Sequence, residues 1–392
     1  MTVAPDFDPL VPESFESFHR EFTELRGSCP VARSDAWNGF WAMTRYDDVL
    51  AAARDPELFT TTVQNVVPKL AFTGRRPPLH FDPPEHTPYR RALNPYFTPA
   101  KMETIEPKVR RIVGELLDPL VAAGGGDVCA GFTHRLPGYV LGEFFNLTPE
   151  LGMAIREATR EFVDAVQRFR SEDVRWTSLA LYDIARALIE MRRAEPLDPA
   201  EDPVSGLLAE RVDGEPFPED LLLGTIRQFI VVGMVAPCVF IGSMVVHLAG
   251  HPALQAELRD DPSHAPAAVE EYLRLLTPYR GFARTPTRDV EVRGRLIRKD
   301  EPVALVYASA NRDESVFPEP GEFVLNRPNI GRHLAFGAGP HRCAGAPLAS
   351  LMLRVTLEEL LARTSSIEVV GDVTMTGWPE WGTLSVPTRL VA

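Results

Sequence analysis

The chain has 392 residues with 41 Lys+Arg against 54 Asp+Glu, a net charge of −13, and is 45% hydrophobic. Such a length buries a sizeable core without covalent staples, and an acidic chain with no basic block speaks against nucleic-acid and anionic-membrane partners. The four cysteines, Cys29, Cys129, Cys238 and Cys343, contain no CxxC pair, which argues against a disulfide framework or a structural zinc site and fits a reducing cytoplasm.

In chain order, the first fifteen residues carry Asp6, Asp8 and three prolines and lack the basic and apolar regions of a signal peptide, so export is not expected. Helical patterns are predicted over 47–54, 99–123, 149–168, 179–193, 218–248, 252–259 and 265–276. Strand signals are fewer, at 40–44, 290–293, 302–307 and 384–391. Prolines are spread rather than gathered into a linker, so a single domain over residues 1–392 is expected, mainly α with small β-sheets. The run 229–246 is apolar apart from Ser243 and just long enough to span a bilayer. Its Gly233, Pro237 and Gly242, together with the lack of flanking basic or aromatic belts, favour a buried core helix. Residues 311–345 form a long irregular stretch of the kind that compact domains keep for function.

That stretch ends in Phe336-Gly-Ala-Gly-Pro-His341-Arg-Cys343-Ala-Gly345. A helix follows, predicted as amphipathic with Leu348, Leu351, Met352 and Val355 on one stripe. A cysteine where a loop enters a helix is placed to carry a stabilised thiolate, and Gly337, Gly339 and Gly345 allow tight turns that present its sulfur. Such a thiolate is a metal-ligand candidate. The pattern Phe336, Gly337, Gly339, His341, Cys343 and Gly345 resembles the haem-binding loop of the cytochrome P-450 family at all six positions. The resemblance implies the cytochrome P-450 fold, a triangular prism of helices around haem. It further implies Cys343 as axial thiolate, Phe336 against the sulfur side of the macrocycle, and His341 toward a propionate.

Glu271 and Arg274, three apart on a helical pattern, resemble the family's ExxR motif, with Arg327 as the implied third member of a buried structural ion group. His86 and Arg90, one turn apart after Asp82-Pro83-Pro84-Glu85, resemble the family's propionate-binding helix, and Arg284 matches the arginine before its small sheet. The long apolar segment resembles the distal helix. It departs from the family at the proton relay, because Val235 and Ala236 stand where an acid and a threonine are common, counting from Gly233, and neither can donate a proton. Pro237 is expected to free the Gly233 carbonyl and kink the helix.

The resemblance places Thr62, Val63, Val66, Phe229, Val232, Gly233, Ala236, Tyr279, Phe282, Trp381 and Gly382 around an apolar pocket suited to a small, apolar or aromatic substrate. It implies a soluble, bacterial-type, cytoplasmic monooxygenase that uses haem b and O2. The resemblance also implies electrons delivered from NAD(P)H through a separate ferredoxin and ferredoxin reductase, with Arg332 and Arg342 as the expected docking charges. Two alternatives stay open because of Val235 and Ala236. One is a peroxide-driven or radical-coupling haem-thiolate enzyme, the other a non-catalytic haem protein that sequesters or senses a ligand.

Overall fold

The computed structural model describes residues 5–11, 14–69, 72–168 and 170–392. The chain divides into two compact units, one built from Met1–Leu70, Pro266–Cys343 and Val373–Thr383, the other from Ala71–Ala265, Ala344–Asp372 and Leu384–Ala392.

The first unit is organised on a five-stranded sheet in the order Val31–Ser34, Phe40–Met43, Val303–Leu305, Phe282–Pro286, Phe59–Thr60. Val303–Leu305 runs parallel to Phe40–Met43 and antiparallel to Phe282–Pro286. The inward side chains of this sheet, Trp41, Met43, Val303 and Leu305, share one core with Val49 and Ala53 of the helix Tyr46–Arg54 and with Phe317, Leu334 and Ala338. Because the last three belong to the irregular stretch, hydrophobic burial ties that stretch to the sheet without giving it regular structure.

Polar contacts complete the anchoring. On the helix Ala265–Leu275, Arg274 donates to both Glu271 carboxylate oxygens at 2.7 and 2.9 Å. Its other hydrogens reach the carbonyls of Asn311, Pro320 and Glu322 at 3.1, 2.8 and 2.9 Å. Arg327 donates to Glu271 at 3.1 Å and to the Glu322 carbonyl at 3.0 Å, and the Val324 amide adds a third donor to the carboxylate at 3.0 Å. Glu271 and Arg274 are 0% exposed. A buried charge is tolerated only when its hydrogen-bonding capacity is met, and here three backbone carbonyls and an amide meet it. The sequence-predicted trio is brought together as one group.

The second unit is largely helical, with Pro99–Ala122, Leu136–Phe144, Pro149–Gln167, Ser171–Ala194, Glu219–Ala249, Pro252–Asp260 and Ala346–Arg363 as its main helices, and a three-stranded sheet ordered Ser366–Val369, Pro387–Val391, Gly125–Asp127. Thr98 and Thr148 cap their helices by accepting from Lys101 and Leu151 amides, each followed by proline at the first helical position. Glu219–Ala249 is the one helix among the described residues long and apolar enough to cross a membrane, and most of it is buried within the fold.

Pro237 stands inside Glu219–Ala249, which continues twelve residues beyond it; burial on both sides of the proline outweighs one missing hydrogen bond. One expectation is corrected here. The helix Ala346–Arg363 is not amphipathic. Leu348, Leu351, Met352, Leu353, Val355, Leu357, Leu360 and Leu361 are buried around its whole circumference, and its charges pair with Pro99–Ala122. Arg110 binds Glu358 at 2.6 Å and Arg354 binds Glu106 at 2.5 Å.

Two consequences are measurable. Replacing Glu271 by Gln leaves Arg274 and Arg327 buried without a counter-charge, and the expected loss of unfolding free energy in urea is about 3–5 kcal/mol. Burial alone would raise the Glu271 pKa, but hydrogen bonds from Arg274 and Arg327 hold it below the ordinary carboxylate value. Its contribution is therefore present above the unfolded-state pKa and is lost as pH falls through the lowered one, so wild type and variant converge in acid. In the irregular stretch, Gly337 and Gly339 have φ of 69° and 68°, and a Cβ on Gly339 would stand 2.4 Å from the Ala53 carbonyl, whereas on Gly337 nothing lies nearer than 3.6 Å. Gly337→Ala should cost about 1 kcal/mol of backbone strain. Gly339→Ala should cost clearly more in the same denaturation series; equal losses would refute the collision.

Candidate active site

Cys343 is the one exposed cysteine of the four; Cys129 is buried, and Cys29 and Cys238 are intermediate. Its loop is closed by hydrogen bonds from the Cys343 amide to the Phe336 carbonyl at 2.8 Å, from Gly337 to Leu334 at 2.9 Å and from Arg342 to Gly339 at 3.1 Å. The two left-handed glycines allow this double reversal. Gly345 differs from expectation, since it caps the following helix at φ −79°, a conformation open to any residue. The sulfur is thus held on a rigid turn, three residues ahead of the helix Ala346–Arg363.

Around that loop the first unit gathers further polar groups. Arg284 lies in the strand Phe282–Pro286, 5% exposed, and donates to the Ala283 carbonyl at 2.9 Å. Its charge acts on Tyr307, whose hydroxyl is the atom nearest to a Cβ built on Gly337. Burial raises the Tyr307 pKa against the opposing effect of Arg284, so the phenol stays a hydrogen-bond donor. His341 lies 3.4 Å from the Thr61 hydroxyl. Thr61 and Tyr307 were not singled out in the sequence; no motif marks them, and only the register Thr60 to Thr285 brings Thr61 beside the Arg284 strand.

The pocket candidates of the first unit sort into two groups. Val66 bridges Phe282, the Tyr279 and Phe282 rings stand 4.3 Å apart, Tyr279 bridges Glu380, and Thr62 pairs with Thr60 at 2.9 Å beside exposed Val63. Trp381 is a correction: it is 1% exposed and packs on His19, Phe15 and Phe18, because a large indole gains more from an aromatic core than from a cavity wall. Beside it, Gly382 has φ 156°, and burial pushes the Glu380 carboxyl up to about 7 against the opposing charge of Arg280. Glu380 also escaped the sequence reading.

In the second unit, the helix His86–Leu93 carries His86, buried, with Arg90 one turn on; the His86 amide bonds the Asp82 carbonyl at 2.9 Å and Arg90 donates to Asn94 at 2.8 Å. The helix Glu219–Ala249 has one open stripe. Val232 is 44% exposed, with Val235 and Ala236 half-buried beside it, while Val231, Met234 and Pro237 between them are buried. An exposed valine in the middle of an otherwise buried helix marks a wall facing open space, and this wall carries no titratable group. Gly233 has a packing reason: a Cβ there would meet both Leu141 methyls at 3.2 Å. Phe229 departs from the pocket expectation, since its ring sits edge-on among Phe97, Phe144 and Phe145.

Comparison with known proteins follows the same lines. The cytochrome P450 family profile matches residues 178–369. Cyclomarin C epoxidase from Salinispora arenicola is 31% identical over 369 residues, 91% of each chain. Mycinamicin IV hydroxylase/epoxidase from Micromonospora griseorubida is 33% identical over 380 residues, 94% of each, and linalool 8-monooxygenase from Pseudomonas putida is 30% identical over 90% of each. Among solved structures, cytochrome P450 CYP109Q5 from Chondromyces apiculatus superposes with a TM-score of 0.88 at 30% identity over 98% of both chains. The exposed cysteine on its glycine-locked loop, the buried ExxR group and these relatives agree, and the chain belongs to the cytochrome P450 family of monooxygenases.

Proposed function

We propose that the chain is a haem b monooxygenase that hydroxylates, epoxidises or otherwise oxidises a small, largely apolar molecule, and that residues 1–392 act as one catalytic domain. The observation that supports this most is the exposed Cys343 thiol on a turn fixed by the Phe336–Cys343 backbone bond and by Gly337 and Gly339. The family implies haem, and the donor set fits it: a single rigid thiolate suits a metal that brings its remaining donors in a macrocycle. Bound haem with an axial thiolate supplies dioxygen activation.

The chain's own groups then take the following roles. Cys343 would hold the haem iron through its thiolate, and Phe336, whose carbonyl accepts from the Cys343 amide, would pack beside that sulfur. His86, Arg90, Arg284 and His341 supply charge and hydrogen bonds to the propionates. Glu271, Arg274 and Arg327 position the irregular stretch that carries the cysteine. Val232, Val235 and Ala236 give the substrate a dry wall, with Val63, Val66, Tyr279 and Phe282 as further lining residues. Since Pro237 has no N–H, the Gly233 carbonyl lacks its fourth-neighbour donor, and a water held at that oxygen takes the proton-relay role that Val235 and Ala236 cannot fill.

Electrons are proposed to come from NAD(P)H through a separate ferredoxin and its reductase in the cytoplasm, with exposed Arg332 and Arg342 meeting an acidic partner. The names of the relatives pair epoxidation with cyclomarin C, hydroxylation and epoxidation with mycinamicin IV, and monooxygenation with linalool, and by that likeness one of these reactions is assigned here. The apolar pair Val235–Ala236 favours a second reading, turnover driven by peroxide or ending in radical coupling.

Reconstituted turnover with NADH, ferredoxin and reductase tests these assignments together. Cys343→Ser should lose the carbon-monoxide difference band of a thiolate-ligated haem together with all turnover. Pro237→Ala, which returns a donor to the Gly233 carbonyl, should release several-fold more peroxide per NADH. Arg332→Glu with Arg342→Glu should slow the ferredoxin-supported rate and its salt dependence while leaving peroxide-supported turnover alone. Tightly coupled turnover in Pro237→Ala would remove the carbonyl from the relay, and efficient turnover with peroxide alone would favour the second reading.

A further inference from the structure

Arg227 is 0% exposed on the helix Glu219–Ala249, five residues before Val232 of the open stripe. It donates to the Ser178 hydroxyl at 3.0 Å and to Gln228 at 3.4 Å, and its guanidinium lies 4.8 Å from the Phe162 ring centre and 5.8 Å from that of Tyr182. Its Nε is buried with no hydrogen-bond partner. The Nε of Arg76 is in the same condition, and the rest of that guanidinium donates to His80 at 3.1 Å. Burial and the charges of Arg76, Arg75 and Arg227 push the His80 pKa down to about 3, so His80 is a neutral acceptor.

The loop carrying Arg76 is tied down around this pair. Thr73 bonds Ser178 at 2.7 Å. A Cβ on Gly74 would meet the Tyr182 hydroxyl at 2.7 Å, and one on Gly224 would meet the Arg75 carbonyl at 1.9 Å. The two arginines therefore face a common interior lined by a phenol, hydroxyls and aromatic rings, and among the described residues no carboxylate pairs with either. The buried Arg274 and Arg192 of the same chain each have one, Glu271 and Asp202. Two buried cations with unfilled donors cost free energy that an oxyanion would recover.

We propose that Arg76 and Arg227 bind a carboxylate, and that it is carried by the substrate, making the substrate class of this enzyme an apolar acid rather than a neutral hydrocarbon or ether. This rests on the monooxygenase reading above. The open stripe bears on the rest of such a molecule: it starts at Val232, five residues beyond Arg227, and Val235 lies about 12 Å further along the helix axis and about 80° round it from Arg227. A carboxylate fixed by the two guanidiniums leaves an apolar body to turn round the helix from Arg227 toward that stripe. Guanidinium is suited to the task because its planar fork matches a carboxylate bidentately.

The test uses the ferric holoenzyme. Spin-state titration with dodecanoate and 4-methoxybenzoate should show binding about 10- to 100-fold tighter than with their methyl esters, the range expected of charged hydrogen bonds. Arg227→Gln and Arg76→Gln should each bring acid and ester affinities together, and Arg227→Lys should recover only part of the difference. A second readout needs no cognate substrate. Sodium benzoate at fixed ionic strength should raise the unfolding temperature of wild type by roughly 2 °C or more and leave the double variant unmoved, while without benzoate Arg227→Gln should be no less stable than wild type.

Stabilisation by benzoate with acids and esters equally bound would assign the site to a free anion and overturn the substrate claim. No stabilisation with no acid preference would overturn the site itself, as would an equal loss of stability in Arg227→Gln with and without benzoate, the mark of a purely structural arginine. Failure of the monooxygenase reading would show separately, as a wild-type protein without the thiolate band.

Discussion

The Glu271 carboxylate is the constraint on which the first unit depends. It is wholly buried, which is affordable only because Arg274, Arg327 and the Val324 amide saturate it. The same two arginines then hold the carbonyls of Asn311, Pro318, Pro320 and Glu322. A chain segment with no ladder of its own is thereby given one fixed path. Asn311 extends the fixation, donating to Thr277 at 2.7 Å and accepting from the Leu334 amide at 2.6 Å. Downstream of Leu334 the path enters the two left-handed glycines and ends at Cys343. The path of the loop that carries the Cys343 sulfur is therefore inherited from an ion group whose Glu271 and Arg274 lie on a helix far earlier in the sequence.

Close backbone approach plays the corresponding part in the second unit. Glu219–Ala249 has little polar patterning, so its orientation cannot come from an amphipathic stripe. It comes from glycines instead: Gly224 admits the Arg75 carbonyl and Gly233 admits Leu141. With those faces fixed, one strip of the helix is left uncovered, and it is the strip of Val232, Val235 and Ala236. Val235 and Ala236, which the resemblance sets where the family commonly has an acid and a threonine, thus lie on the uncovered strip and not on a packed face.

How much of this was legible in the sequence depended on the kind of signal. Long helices such as Pro99–Ala122 and Glu219–Ala249 fell within two residues of their predicted bounds because proline starts and apolar runs mark them. The strand Phe282–Pro286 was missed, since Arg284, Thr285 and Pro286 disguise a buried strand whose polar members are held by tertiary contacts. The cysteine loop and the ExxR trio were readable because their chemistry fixes residue type and spacing together. Two of the pocket candidates were not, because spacing does not say which way an aromatic ring turns: Trp381 and Phe229 went into aromatic cores. Thr61, Tyr307 and Glu380 carry no pattern at all.

The contrast between the buried cations of this acidic chain sharpens the functional question. Arg274 and Arg192 each have a carboxylate and backbone carbonyls in contact, with Arg192 reaching Asp202 at 3.1 Å and the Phe145 carbonyl at 3.0 Å. That is the composition of a structural site, complete in itself. Arg227 and Arg76 are instead met by neutral hydroxyl, amide and imidazole groups, and like charges oppose each other between them. With 54 carboxylates in the sequence, 13 more than the basic residues, selection of one to neutralise the pair would have been a short step. A pair left uncompensated in a chain so rich in acid is better explained by a counter-charge that arrives with a ligand, since an internal carboxylate would compete for the same donors.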